Sequence, residues 1–359
     1  MSTISYQNIP VNLIDDIDLA LLNDSTPAQS NWLVDMFFPR EVVTDEKELF
    51  IGSLNMNNPI APYVSPLVEG RPIKRNDSLS VRSVPFAYVK PKTALEPATV
   101  VDSAVLAQLR AGGMTISGKM STADALMIAQ TAEAALQRRA IDNRVALMAA
   151  EVLTTGKIIV VSDDQPKVEI DYGRDVLAAF TPAIAWTNVA TAIPVTDFQT
   201  MQDKMFALTG SYSGKIVMRT AVWNALIKTD QFKAAFITPN NGIRNVLENT
   251  TFNTSENQAN LKMKLDNGAE IWTFDGFYTD AAGAKVYYLP TGYCGMIHSA
   301  PGLRAFGKIQ DISANFQGFK YYPKTWENKD PSVLYLMTQS APMVVPGHAN
   351  MVVGGTGFV

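Results

Sequence analysis

Cysteine is almost absent from this 359-residue chain. Cys294 is the only one, so no disulfide forms within a single copy, and a reducing compartment fits. Histidine is nearly as scarce: His298 and His348 stand alone, and neither has a partner at metal-ligand spacing. Charge is low. Charged residues make up 18% of the chain, against about 25% in ordinary soluble domains. The net charge of −4 excludes gripping nucleic acid by bulk positive charge. No run approaches the roughly 18 apolar residues of a membrane span, and Met1 to Pro10 lacks the basic-then-apolar pattern of a leader. A Walker loop, a nucleophile elbow and a dinucleotide fingerprint are all missing. Gly112-Gly113 runs into Met114 with no following Lys-Ser/Thr pair. The acidic pairs Asp15-Asp16 and Asp163-Asp164 sit in helix-start or turn contexts, whereas a catalytic dyad requires burial. The chain is therefore expected to be no enzyme and to carry no cofactor or metal.

What is present is apolar surface, at 47% of residues, and extended structure. A poorly charged, apolar chain has either a large core or a surface that expects partners. The stretch Tyr63 to Lys92 reads as a long hairpin. Its first arm is Tyr63 to Gly70, its polar tip Lys74-Arg75-Asn76-Asp77, and its second arm Leu79 to Tyr88. Val84, Phe86 and Tyr88 alternate out of step with Leu79 and Val81, which predicts a bulge, and Pro85 confines this arm to an edge or that bulge. An isolated hairpin is marginal in water, so this one needs a neighbouring surface.

Leu13 to Leu22 has the spacing of a short amphipathic helix, and Asp24 to Ser30 that of a linker. Trp32, Phe37 and Phe38 form an aromatic anchor with Leu33, Val34 and Met36, packing either in their own subunit or across an interface. From about Ser121 to Thr155 the residues are strong helix formers, with Ile141, Val145, Met148 and Val152 on one face and Gly156 as the stop. At 1.5 Å per residue this helix is roughly 50 Å long, the spine of an elongated subunit. Arg138, Arg139 and Arg144 share it without forming one stripe, as befits subunit contacts or a solvated face. Lys157 to Tyr172 reads as a hairpin, and 176 to about 300 as a mixed α/β domain. Within that domain, helices are expected at Asp197 to Leu208 and Thr220 to Thr229, and strands at Lys215 to Met218, Ile271 to Tyr278 and Val286 to Leu289. Cys294 lies in an apolar strand-like run and reads as a small buried hydrophobe. Strands return at Gly318 to Tyr322 and Val333 to Thr338, and the glycine-rich Gly354 to Gly357 is expected to fray.

The order of these parts, with several short segments, resembles the lambda-type major capsid proteins of tailed bacteriophages. The segments are Leu33-Val34-Asp35-Met36-Phe37-Phe38 with Thr44-Asp45-Glu46-Lys47, then Tyr63-Val64-Ser65-Pro66 and Tyr88-Val89-Lys90-Pro91-Lys92. Gly302-Leu303-Arg304, Tyr322-Pro323-Lys324 with Trp326, and Gln339-Ser340-Ala341-Pro342 follow. The resemblance implies an α+β fold of the Hong Kong 97 type. It implies an N-arm (1–35), a connection (36–54), an E-loop (55–97) and a P-domain (98–175) with spine helix 121–155. An A-domain (176–300) and P-domain return strands with a C-terminal tail (301–359) complete it. The implied function is self-assembly of pentamers and hexamers into an icosahedral head around double-stranded DNA, through a procapsid that expands. Implied partners are other copies of the chain, a separate scaffolding protein (the arm begins almost at Met1), a portal and loosely touched DNA, with no membrane; a decoration protein is left open. Assembly is expected in the host cytoplasm and residence in the virion. Expected inter-subunit residues on the E-loop are Glu69, Arg71, Lys74, Arg75, Asp77, Val84, Phe86 and Tyr88. The alternatives are an encapsulin-like compartment and an α/β enzyme with a pocket in 176–300.

Overall fold

A computed structural model describes residues 31–55, 78–95, 122–162, 165–212, 214–236, 259–264, 268–280, 282–298, 300–330 and 332–359. Everything is arranged around one long helix. Helix α1 (Trp32–Phe37) starts at Asn31, whose side chain accepts from the Leu33 N–H at 3.2 Å. The spine is α2 (Thr122–Thr155), 34 residues long and within one residue of its expected start. Its buried residues include Ile141, Val145, Met148, Ala149 and Val152, and all but Ile141 share a core with α1. Gly156 closes it with φ +73°, the left-handed conformation that glycine adopts without strain.

Two three-stranded sheets and a hairpin flank the spine. Tyr322–Lys329, Ser332–Gln339 and Lys92–Leu95 pair antiparallel. Gln137 of α2 is buried against this sheet and pinned to it: its amide donates to Thr93 Oγ1 and to the Leu336 carbonyl, each at 3.0 Å, and it accepts from Thr338 Oγ1 at 2.8 Å. In the second sheet Arg40–Val43 runs parallel to Leu303–Phe306, which pairs antiparallel with Pro342–Val345. The expected hairpin forms from Lys157–Ser162 and Gln165–Asp171.

A separate core lies under a five-stranded sheet ordered Val352–Gly355, Cys294–Ile297, Lys215–Met218, Glu270–Phe274 and Ala259–Lys264. Helices α3 (Pro194–Thr209), α4 (Thr220–Leu226) and α5 (Asp230–Phe236) pack with it. The expected helix from Thr220 to Thr229 stops at Leu226, because Thr229 Oγ1 bonds back to the Leu226 carbonyl at 2.7 Å and α5 starts at Asp230. The expected strand Ile271 to Tyr278 splits at Asp275-Gly276 into Glu270–Phe274 and Phe277–Thr279. Gly318 contributes one bridge to Lys308, and the strand begins only at Tyr322.

Two expectations are corrected. The hairpin arm Ser78–Pro85 pairs with Glu48–Asn55, in unbroken register from Asn55↔Ser78 to Glu48↔Pro85. Tyr63 to Gly70 lies outside the described residues. No bulge occurs: the register runs without a shift through Val81 and Val84, and the strand ends at Pro85, which has no N–H to offer. The glycine-rich tail is also not frayed. Val352–Gly355 is the outer strand of the five-stranded sheet, and Phe358 is buried edge-on to Trp186 at 4.7 Å. Its glycines answer close packing, since a Cβ on Gly354 would collide with the Cys294 carbonyl and one on Gly355 would stand 2.5 Å from the Phe180 carbonyl oxygen.

Candidate assembly interface

The aromatic anchor packs in its own subunit. Trp32 is 8% exposed and lies against Phe37, Trp272 and Phe274 at ring separations of 5.7, 5.0 and 5.9 Å. Phe38 fills the space over Gly302, where a Cβ would clash, and the Gly302 N–H donates to the Phe37 carbonyl at 2.8 Å.

The base of the hairpin formed by Glu48–Asn55 and Ser78–Pro85 is held the same way. Val84 is buried in the core that contains Phe306 and Met343. Phe86 sits over Gly307, where a Cβ would be 2.5 Å from its ring. The Tyr88 hydroxyl donates to Gln339 Oε1 at 2.7 Å and accepts from the Gln310 N–H at 3.0 Å; burial pushes its pKa up. Val84, Phe86 and Tyr88 thus fix where the two-stranded ribbon leaves the body. The ribbon itself presents Phe50 at 67% exposure. Glu69, Arg71, Lys74, Arg75 and Asp77 lie outside the described residues.

A charged cluster joins α1, the sheet and the spine. Lys320 Nζ pairs with Glu41 Oε2 at 2.7 Å, and Arg304 reaches Asp35 at 3.6 Å and Glu41 at 3.9 Å. Next to Lys320, the Tyr321 hydroxyl donates to Asp142 Oδ1, and the Arg138 guanidinium lies 4.9 Å from the Tyr321 ring centre. Asp142 Oδ2 is buried with no hydrogen-bond partner among the described residues. Burial raises the Asp142 pKa, outweighing the Tyr321 hydrogen bond and the nearby Arg138, Lys320 and Arg304 charges.

The spine's end is fastened by Arg174. Its guanidinium donates to the carbonyls of Leu153 (3.4 Å), Thr154 (2.8 Å), Ala178 (3.3 Å) and Gly354 (3.5 Å). A cation on the last carbonyls of a helix also complements its dipole. Neither Arg174 nor Asp142 carries a sequence signal, because a lone charge has no local pattern and its partners lie far along the chain.

The residues that would suit chemistry are occupied structurally. Cys294 is buried and its thiol is pushed up by burial, so it is inert. His298 contacts Ser211 Oγ at 3.0 Å, and His348 Nδ1 accepts from the Asn350 N–H at 3.0 Å. Burial lowers both pKa values. Among the described residues no three metal-binding side chains cluster, and no helix is long and apolar enough to cross a membrane.

Among the described residues, an open groove of about 610 Å³ lies between residues 85–91, one face of α2 and the 157–171 hairpin.

The phage major capsid protein E family model matches residues 20–356. Two curated relatives, the P21 prophage-derived major head protein of Escherichia coli O6:H1 strain CFT073 and the major capsid protein of Enterobacteria phage P21, are each 27% identical over 333 residues, covering 87% of this chain and 90% of theirs. Among solved structures, the putative capsid protein of a prophage from E. coli CFT073 superposes with a TM-score of 0.68 at 22% identity, over 94% of this chain and 97% of that one. The cyanophage A-1(L) capsid subunit gives 0.50 at 10% identity, over 93% and 95%. These likenesses establish the expected α+β capsid fold of the Hong Kong 97 type. The chain belongs to the phage major capsid protein E family.

Proposed function

We propose that this subunit, a structural protein of the phage head shell and not an enzyme, closes that shell by handing its E-loop ribbon to a neighbour. The observation that carries this is the paired Glu48–Asn55 and Ser78–Pro85 ribbon, anchored at its base and exposing Phe50 outward. A two-stranded ribbon is marginal by itself, and a second copy supplies the missing surface. In this reading 1–35 is the N-arm, and the E-loop runs to 97 from the ribbon strand that begins at Glu48, earlier than the expected 55. Residues 98–175 and 301–359 form the P-domain, and 176–300 the A-domain, whose loops meet at the centres of pentamers and hexamers. The tip charges Glu69, Arg71, Lys74, Arg75 and Asp77 pair with adjacent subunits. Single exposed pairs are worth about 0–1 kcal/mol, so they act as a network. A separate scaffolding protein and a portal complete the head, which forms in the host cytoplasm as a procapsid, expands, and touches its DNA loosely. The family match and both curated relatives are phage head proteins, which favours this shell over an encapsulin-like compartment.

Electron microscopy of the chain expressed in bacteria, alone and with its genomic neighbours, tests the reading. Closed shells or rings of five and six support it, and shells only in the second preparation add the separate scaffold. Monomers in both would refute it. Lys74→Glu with Arg75→Glu is expected to block assembly while the subunit melts as wild type; normal shells from that variant would remove the tip from the mechanism.

A further inference from the structure

We propose that the turn His348–Met351 is an acid-released latch between two chain crossings that join the five-stranded sheet to the sheet of Leu303–Phe306 and Pro342–Val345. One crossing leaves Cys294–Ile297 through His298 and enters Leu303–Phe306. The other leaves Pro342–Val345 through His348 and enters Val352–Gly355. The chain has two histidines, and one stands on each crossing. The crossings touch. The His298 N–H donates to the Met351 carbonyl at 2.6 Å, and a Cβ on Gly347 would stand 2.5 Å from the Pro301 carbonyl oxygen.

The turn is closed by its own histidine. The Met351 N–H donates to the His348 carbonyl at 3.1 Å, and the Asn350 N–H donates to His348 Nδ1 at 3.0 Å. A backbone N–H can only donate, so Nδ1 is the bare nitrogen of a neutral ring. Asn350 carries the fastening onward, because its Oδ1 accepts from the Asp175 N–H at 2.7 Å. A proton that reaches this ring lands on Nδ1, since Nε2 already holds one. Nδ1 then becomes a donor facing a donor, and the bond that shapes Asn350 is lost. His298 adds to the strain. Its Nδ1 is held 3.0 Å from Ser211 Oγ, and the charge on His348 acts on it directly. Acid thus unfastens the crossings from each other and from Asp175.

Among the described residues no carboxylate bonds to either ring. The charged groups of the surrounding elements are engaged elsewhere. Lys215, opposite Ile297, aims Nζ at Met36 Sδ at 3.0 Å, and Glu270 beyond it pairs with Lys264 at 2.9 Å. The Asp175 carboxylate accepts from the Leu177 N–H at 2.9 Å, and Arg174 holds the helix-end carbonyls. Burial lowers both histidine pKa values, and the His348 charge lowers that of His298 further. The stability given by the neutral rings is therefore whole above the ordinary histidine value of about 6.5 and is lost as pH falls through the lowered folded values.

The test uses the full-length unassembled subunit with labelled imidazoles, whose spectrum holds two ring signals. Both are expected to titrate below about 6.5, and His348→Gln should raise the midpoint of His298 by removing its charged neighbour. Amide exchange, corrected for its intrinsic pH dependence, is read at pH 7.5 and pH 5. Protection at Asn350, Asp175 and His298 should fall about three- to tenfold in the wild type at pH 5, the loss of one hydrogen bond. The strand Cys294–Ile297 should hold its protection, which separates local opening from acid unfolding. In His348→Gln, whose amide oxygen accepts at either pH, the fall should be absent. In His348→Lys it should be present already at pH 7.5. Two rings that titrate independently near 6.5 in the wild type would overturn the latch. So would the same acid response in wild type and His348→Gln.

Discussion

Replacing Trp32 with alanine removes an indole that is 8% exposed and lies against three aromatic rings. Two of them, Trp272 and Phe274, belong to the five-stranded sheet, so the indole is the wedge between the arm anchor and that sheet. Large-to-small replacement of a buried tryptophan costs about 3–5 kcal/mol, the aromatic contacts being part of that loss. In a chain of this length 1 kcal/mol moves the melting point by roughly 2 °C, so Trp32→Ala should melt about 6–10 °C lower. The discriminating sample is the unassembled subunit, followed by circular dichroism during heating and by urea titration. Trp32→Phe, which keeps a ring in the slot, should lose less than half as much. If the unassembled Trp32→Ala subunit melts with the wild type and only its shells fail, the anchor works between subunits and its packing within one subunit is refuted.

Gly354→Ala forces a Cβ into the Cys294 carbonyl and should cost about 1–3 kcal/mol of subunit stability in urea titration; an unchanged midpoint would mean that the tail is not a strand of the sheet. Asp142 has a raised carboxyl pKa in the folded state, so its contribution to stability is greatest below the unfolded value near 3.9 and is lost as pH rises through the folded value. Asp142→Asn removes that dependence, so the stability of wild type relative to Asp142→Asn should climb as pH falls from 7 towards 4, and parallel pH profiles would contradict the assignment. Arg174→Met deletes the guanidinium bonds to the Leu153 and Thr154 carbonyls, worth about 1.5–3 kcal/mol. Amide hydrogen exchange at the last turn of the spine should then speed up roughly 10- to 100-fold, with the Trp32 region unchanged.

The elements legible in the sequence are those whose cause is local. The spine helix follows from a run of good helix formers ended by Gly156, and Lys215–Met218 and the 157–171 hairpin from apolar runs bounded by turn residues. The elements misread depend on partners far along the chain. The ribbon's other strand, Glu48–Asn55, lies 22 residues before Ser78 and carries no turn signal that names its mate. Gly354 and Gly355 look like a flexible tail because glycine serves two opposite ends, freedom in a loop and close approach in a sheet. Only the Cys294 and Phe180 carbonyls distinguish them. The anchor is half legible: the sequence marks Trp32, Phe37 and Phe38 as buried, but the same aromatic cluster serves a core and an interface equally well.

The fastenings of the spine differ along its length. The C-terminal half is enclosed by the main core and ends in the Arg174 bonds. Its middle is held by the Asp142–Tyr321 contact, just before the strand Tyr322–Lys329, and by the Gln137 bond to Leu336 in the strand Ser332–Gln339. Nearer Thr122, among the described residues, Leu126, Ile128 and Ala129 pack against Leu95 and Leu334, with Met127 exposed. Leu95 belongs to Lys92–Leu95, the strand that follows the base of the ribbon. The described start of the spine and the strand that leaves the root of the ribbon therefore share one small core, so the two are packed as a unit apart from the Trp32 wedge.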